Sequence, residues 1–400
     1  MATADAVQAP RLPAFGLLVA VTATGPVAMH LFIPSMPGLV AEFSTTLPRV
    51  QLTLTLYMLA LAVATLAYGP LSDRFGRRPV LLAGLAIYAV AAVLCAFAPT
   101  IDWLIAGRML QAVGGCAGLV LGRTMVRDCH ERDRSASVIA ALTMVMAVVP
   151  ALSPAIGGYL DVWLGWRAGF VLLAVFGFGT LAVAVPRLNE TNLYTGRGTS
   201  GIGHLEGFKL LLRSRVFLGF GLHCVCTLAA WYTLVAGAPY VMVTIMERAP
   251  SEYGLWFIPV AGGWVLGNFL TSRMATRLGI ERMVLFGALV AIAASILLAV
   301  FLAAAPLSPL RLFAPLAAIG VGHGLSQPSA MAGAIGVRPE VIGRASGLVG
   351  FVQMATGAAS AQLLGLMQQD SAWPLILMVV AFSVLSLVCW AIGVTGRTTA

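Results

Sequence analysis

"GPLSDRFGRRP", residues 69–79, stands between two apolar stretches, each about 20 residues long, and decides how the rest of the chain is read. Asp73 and Arg74, then Gly76, then Arg77 and Arg78 make a short charged break where the chain would leave and re-enter a bilayer. Positive charge at a membrane surface anchors a helix end, which accounts for the arginines but not for an acid and glycines at this spacing. Asp73 can accept hydrogen bonds from a neighbouring helix N-terminus or pair with an arginine, holding one conformation until that pair breaks. Gly69, Asp73, Arg74, Gly76, Arg77 and Arg78 are therefore read as a gating loop.

Working outward, the 400 residues are 60% hydrophobic and 10% charged, with a mean hydropathy of +0.94. That balance belongs to an integral membrane protein. Twelve stretches are long enough to span, at 14–36, 49–71, 79–98, 101–122, 136–160, 167–186, 216–239, 253–275, 282–304, 309–332, 343–366 and 373–395. The first is too long in its apolar run for a cleaved signal peptide, and its leader carries only Arg11 against Asp5. The fold class is an all-α membrane protein.

Arg74, Arg77, Arg78, Arg123, Arg127, Arg187, Lys209, Arg213, Arg273, Arg277 and Arg282 fall on one side of the spans, against Arg49, Arg167, Arg248 and Arg311 on the other. The positive-inside bias then places both termini in the cytoplasm. It also explains the net charge of +9 beside anionic lipid, without nucleic acid. The six cysteines lie within or at the ends of spans with no C-x-x-C spacing, and are read as packing residues rather than metal ligands.

The longest polar interval divides the spans six and six. The expected organisation is a tail at 1–13, a six-helix bundle at 14–186, a linker at 187–215, a second six-helix bundle at 216–396 and a tail at 397–400. Such a division suits a transporter that rocks two bundles about a site near the midplane. "MATRLGIERMVLFGA", after span eight, echoes "SDRFGRRPVLLAG", with Thr276 near the place of Asp73. No phosphate-binding loop, zinc-helix motif or nucleophile elbow appears, so no enzyme activity, cofactor or metal is expected.

Three segments carry a family resemblance. Residues 69–79 match the signature loop of the major facilitator superfamily. "RMLQAVGGCAG" in span four resembles that superfamily's R-x-x-Q-G-x-G pattern at Arg108, Gln111 and Gly114, with Ala112 replacing a glycine. "PALSPAIGG" in span five, which opens on Pro150, resembles the antiporter motif at Pro154, Gly157 and Gly158, with Ser153 replacing a glycine. "VQLTLTLYMLALA" and "DSAWPLILMVV" look most like the bicyclomycin and chloramphenicol resistance (Bcr/CflA) branch of the drug:proton antiporter (DHA1) family. The resemblance implies twelve helices in two bundles and a role for Arg108 in coupling protons to substrate.

It also exposes a departure. Relatives of this branch usually carry an aspartate in span one, where this chain has "HLFIPSMP" and His30. The acids all fall near the ends of the spans, which leaves His30, His223 and His323 as protonatable groups of the membrane core. Histidine's ordinary pKa of about 6.5 suits a cellular proton gradient. His30 is the proton carrier, or a neutral hydrogen-bonding wall with coupling through Asp73 or Asp128, or a packed histidine with no role; packing is the expected role of His223 and His323. Thr55, Tyr57, Met146, Trp231, Tyr232, Phe351 and Gln353 are further candidates for lining a pocket. The resulting expectation is proton-coupled drug efflux across the bacterial inner membrane, with a small-molecule substrate, protons and lipid as partners. A monomer suffices. The alternative is a carrier of a metabolite such as an amino acid or sugar derivative.

Overall fold

Apolar runs cross hydrocarbon as helices because every backbone polar group must then be satisfied within the segment. Among the described residues twelve long helices form: α1 (Phe15–Leu31), α2 (Leu47–Phe75), α3 (Arg77–Ala96), α4 (Ile101–Cys129), α5 (Arg132–Leu164), α6 (Trp166–Arg187), α7 (Arg215–Tyr240), α8 (Pro250–Leu278), α9 (Ile280–Ala304), α10 (Pro309–Ile335), α11 (Ile342–Met367) and α12 (Trp373–Thr395). The computed structural model describes residues 13–129, 132–192, 209–304, 306, 308–337, 342–367 and 371–395. The expected tails, except Pro13, and the central part of the linker lie outside these.

Each expected span coincides with one helix. Eleven are long and apolar enough to cross a membrane. The exception, α10, is long enough but less apolar, because it carries His323, Ser326 and Ser329 on buried faces. Two ends differ instructively from the sequence reading. α2 runs on to Phe75, so Asp73 and Arg74 form its last turn and Arg77 opens α3, which reduces the expected loop to the single residue Gly76. α4 continues to Cys129, and in that added turn Asp128 pairs with Arg77.

Gly76 has φ 94° and ψ 155°, a conformation in practice restricted to glycine. Gly279, between α8 and α9, repeats it at φ 81° and ψ 157°. The two sharp turns occupy matching places in the two halves, so the faint echo in sequence corresponds to a shared backbone device.

α1 packs on α4, α5 and α6, and α3 on α4 and α6, to build the first bundle; α7 packs on α10, α11 and α12, and α10 on α8 and α9, to build the second. Two crossings join the bundles, α2 with α11 and α5 with α8. One large apolar core, including Tyr57, Met58, Trp231 and Ala358, runs through both bundles. Toward the arginine-rich end it gives way to separate clusters, Leu18, Val126 and Leu142 in the first bundle and Phe217, Phe220, Ala330 and Val349 in the second. The bundles thus meet at the end far from the arginine-rich turns.

Candidate functional site

The charged break is a closed network. Arg77, 9% exposed, approaches Asp73 Oδ1 at 2.5 Å and Asp128 Oδ2 at 3.1 Å, and donates to Ser72 Oγ at 2.6 Å. Because Gly76 offers no side chain to cap α3, the first amide groups of that helix need an acceptor from elsewhere. Glu190, just beyond α6, provides it, accepting from Arg77 N at 2.8 Å and Arg78 N at 3.1 Å. Arg78 in turn donates to Leu188 O and Val185 O. Thr191 Oγ1 donates to Asp128, and Asn192 Nδ2 to Asp73 O. These contacts fasten the ends of α2, α3, α4 and α6 together. Arg74 lies outside them, over the Phe75 ring, and a Cβ on Gly69 would meet open space.

Arg108 is fully enclosed within the first bundle. Its Nη1 donates to Ala28 O of α1 at 2.9 Å and to Gln111 Oε1 at 2.8 Å. Its guanidinium lies 4.1 Å from the Tyr57 ring centroid, 5.0 Å from Phe32 and 5.9 Å from Phe170. No carboxylate pairs with it among the described residues. A desolvated cation–π contact stabilises by ~2 kcal/mol, whereas burying an ion costs several, so the aromatic cage offsets only part of that cost. Nε and Nη2 of Arg108, Nε2 of Gln111 and the hydroxyl of Tyr88 have no hydrogen-bond partner among the described residues. Gly114, the glycine of the same motif, does a different job: a Cβ there would lie 2.7 Å from Gly84 O, so it permits the close crossing of α3 and α4.

His30 lies on another side of α1. Residues 28 and 30 are about 200° apart around a helix, so the histidine points away from the carbonyl that Arg108 holds. Val19, Ala20, Pro26 and Val27 are half-buried and share the histidine's side, opposite the face where Gly25 and Val21 press on α4. His30 itself is buried, 6% exposed. Nδ1 is 2.9 Å from Pro26 O. A carbonyl only accepts, so Nδ1 carries a proton in this bond and Nε2 is left as the atom that takes or releases one.

The closure above His30 is made by glycines and amides. A Cβ on Gly157 would collide with Leu31 O of α1, while one on Gly158 would lie 2.5 Å from Pro250 O of α8. The two glycines of the antiporter-like motif thus serve different contacts, one within the first bundle and one between bundles. Pro150 and Pro154 lie inside α5, and Gly254 packs directly on Pro154 and Ala155. At the other crossing, Gln51 Nε2 donates to Ala236 O at 3.2 Å, Thr55 Oγ1 to Gln362 Oε1 at 3.2 Å, and Gln362 Nε2 to Pro48 O at 3.0 Å. Beyond it a cavity of about 660 Å³ opens at the far end, lined by Pro37, Val40, Pro48, Tyr240, Thr244 and Gly365. Along the same side of α2 toward the arginine-rich end, Thr65 is exposed, and a Cβ on Gly347 or Gly350 of α11 would meet nothing.

The Major Facilitator Superfamily profile matches residues 17–361. The chain belongs to the major facilitator superfamily. It is 30% identical over 370 residues to a chloramphenicol resistance protein of Pseudomonas aeruginosa, covering 90% of this chain and 86% of that protein. It is 27% identical over 371 residues to a bicyclomycin resistance protein homologue of Haemophilus influenzae (91% and 92%), and 28% identical over 379 residues to multidrug resistance protein D of Escherichia coli (94% of each). These relatives place it with the Bcr/CflA branch of the DHA1-type exporters. The fold also superposes on the crystal structure of a bacterial homologue of the human lysosomal transporter Spinster, in an inward-facing, unoccupied conformation. The TM-score is 0.77, with 16% identity over 95% of each chain. As a superfamily member the protein is a multi-pass membrane transporter, not an enzyme.

Within this superfamily fold the remaining candidates scatter. Tyr57 is fully buried against Arg108 and donates to Gly25 O at 2.8 Å. Gln353 ties α11 to Cys224 O of α7, and Trp231 packs edge-on against Trp264 at 4.6 Å. Tyr232 donates to Met354 Sδ, while Met146 and Phe351 are half-buried. His223 Nδ1 donates to Ser386 O at 3.0 Å, inside the second bundle. Glu190 is the participant that motif reading passed over. The cue available in sequence was Gly76, a helix start with no capping side chain.

Proposed function

We propose that this transporter exports small amphipathic drugs, phenicol-like or bicyclomycin-like, across the bacterial inner membrane in exchange for protons. The observation that carries the reading is the set of resistance-named relatives aligned over about nine-tenths of the chain. The arginine-rich turns and both termini face the cytoplasm in this account. The structure is then the inward-facing member of an alternating-access pair. His30 faces the path between the bundles and exchanges a proton at Nε2, while Arg108, on the other side of α1, ties α4 to that helix and transmits the change. Asp73 and Asp128 hold Arg77, which suits a latch better than a proton site.

Everted membrane vesicles energised to an acidic interior test this. Adding chloramphenicol or a similar drug dequenches an acid-sensing dye with the wild type. Arg108→Ala and His30→Ala give no response. A response retained in His30→Ala moves the proton site elsewhere, and silence of the wild type toward every drug in a panel favours a metabolite carrier.

A further inference from the structure

In the second bundle α7 and α12 run antiparallel along a close seam. A Cβ on Gly219 would lie 2.5 Å from the Gly393 Cα and 3.2 Å from Cys389 O, so the two backbones nearly touch. One turn further along, His223 Nδ1 donates to Ser386 O at 3.0 Å. Cys226 lies seven positions past Gly219, and Cys389 four positions before Gly393, both at spacings that keep them on the seam. Side chains lean toward the N-terminus of their own helix, which on antiparallel helices turns Cys226 and Cys389 toward each other. Their thiols meet across the seam, each half-buried. Leu222, Leu385 and Val388 beside them are exposed, and α11 barely touches α12 there, so the pair sits at an edge that faces lipid. Cys95, Cys116 and Cys224, by contrast, are fully buried.

We infer that Cys226 and Cys389 form a dithiol site, entered from the bilayer, that binds lipophilic trivalent arsenicals. Two adjacent soft sulfurs suit a soft centre that takes both. Hydrocarbon selects the reaction. Disulfide exchange starts from a thiolate, an ion that an apolar environment opposes. Condensation with an aryl arsenous acid, ArAs(OH)2, creates no ion: two As–O bonds break, two As–S bonds form, and each thiol proton leaves with a hydroxyl of the arsenical as water. Arsenic and sulfur keep their oxidation states. The product bridges α7 to α12 within one bundle, apart from Arg108 and from the Arg77 network.

The test uses phenylarsine oxide, which hydrates to such an acid, and the full chain in lipid nanodiscs. After reaction the sample is washed with excess 2-mercaptoethanol, a monothiol that strips singly held arsenic, and weighed intact by mass spectrometry. The wild type keeps one phenylarsenic group per chain and loses it to 2,3-dimercaptopropanol. Cys226→Ser and Cys389→Ser each keep none, while Cys129→Ser behaves as the wild type. A sulfonated aryl analogue, excluded from the bilayer, reacts at least tenfold more slowly. A wild type with no wash-resistant adduct overturns the inference, as does an adduct that survives in either Cys226→Ser or Cys389→Ser. Equal rates for the two arsenicals overturn the entry from lipid. Should a serine variant fail to fold, Cys226→Ala or Cys389→Ala takes its place.

Discussion

At the scale of single residues, burial and backbone geometry separate the positions that carry structure from those that carry exchange. Arg108 is legible in sequence as a charge that must be enclosed, but not the side from which it is enclosed. Gln111, one turn on, accepts from the guanidinium, which sits among Tyr57, Phe32 and Phe170 inside one bundle. Gly76 is the sharpest local constraint. Its φ of 94° excludes other residues, and a Cβ there would lie 2.5 Å from Glu190 Oε2. Gly76→Ala is therefore expected to cost about 1–3 kcal/mol and to lower the apparent melting temperature of detergent-solubilised protein. Gly179→Ala, in the middle of α6 with nothing near its Cβ, leaves it unchanged. Equal melting of the two variants would remove Gly76 from the account.

For the helices, existence was legible and contact was not. A run of about 20 apolar residues crosses the bilayer whatever its neighbours, so each expected span appears as one helix. Ends were harder, because the last turns of α2 and α4 leave the hydrocarbon and are held by Arg77 and Asp128 rather than by apolar periodicity. Glu190 was invisible for a similar reason: it caps a helix that begins more than a hundred residues earlier in the chain. Partner choice among helices is written in small residues whose roles differ from one position to the next, as at Gly157 and Gly158. The crossing of α5 and α8 is where this matters most. Gly158→Val would push α8 away at Pro250 and Ser251, and the closed end would lose population to its open counterpart. Spin labels at Ala41→Cys and Leu366→Cys, across the outer cavity, in a background without native cysteines, should report a longer mean distance in Gly158→Val. An unchanged distance distribution would show that this crossing does not hold the end shut.

Over the whole molecule, one apolar core joins two bundles at one end and divides into two at the other. That asymmetry gives the space between them a closed end, toward which we propose that α1 carries His30. Symmetry between halves reaches the backbone at Gly76 and Gly279 but not the charges, since Thr276 replaces the acid in the second copy. The Arg77 network is thus built once, in the first bundle, and it is linked to the second bundle through α2 and the crossing of α2 with α11. Exchange at His30 is the central claim, and proton release on drug binding tests it most directly. Purified protein in weakly buffered solution, mixed with a saturating neutral phenicol and followed with a pH indicator, should release at most one proton per protein, in proportion to the fraction of His30 protonated at the starting pH, and His30→Asn should bind the drug and release none. Equal release from the two proteins would contradict the account and place the exchanged proton on another residue.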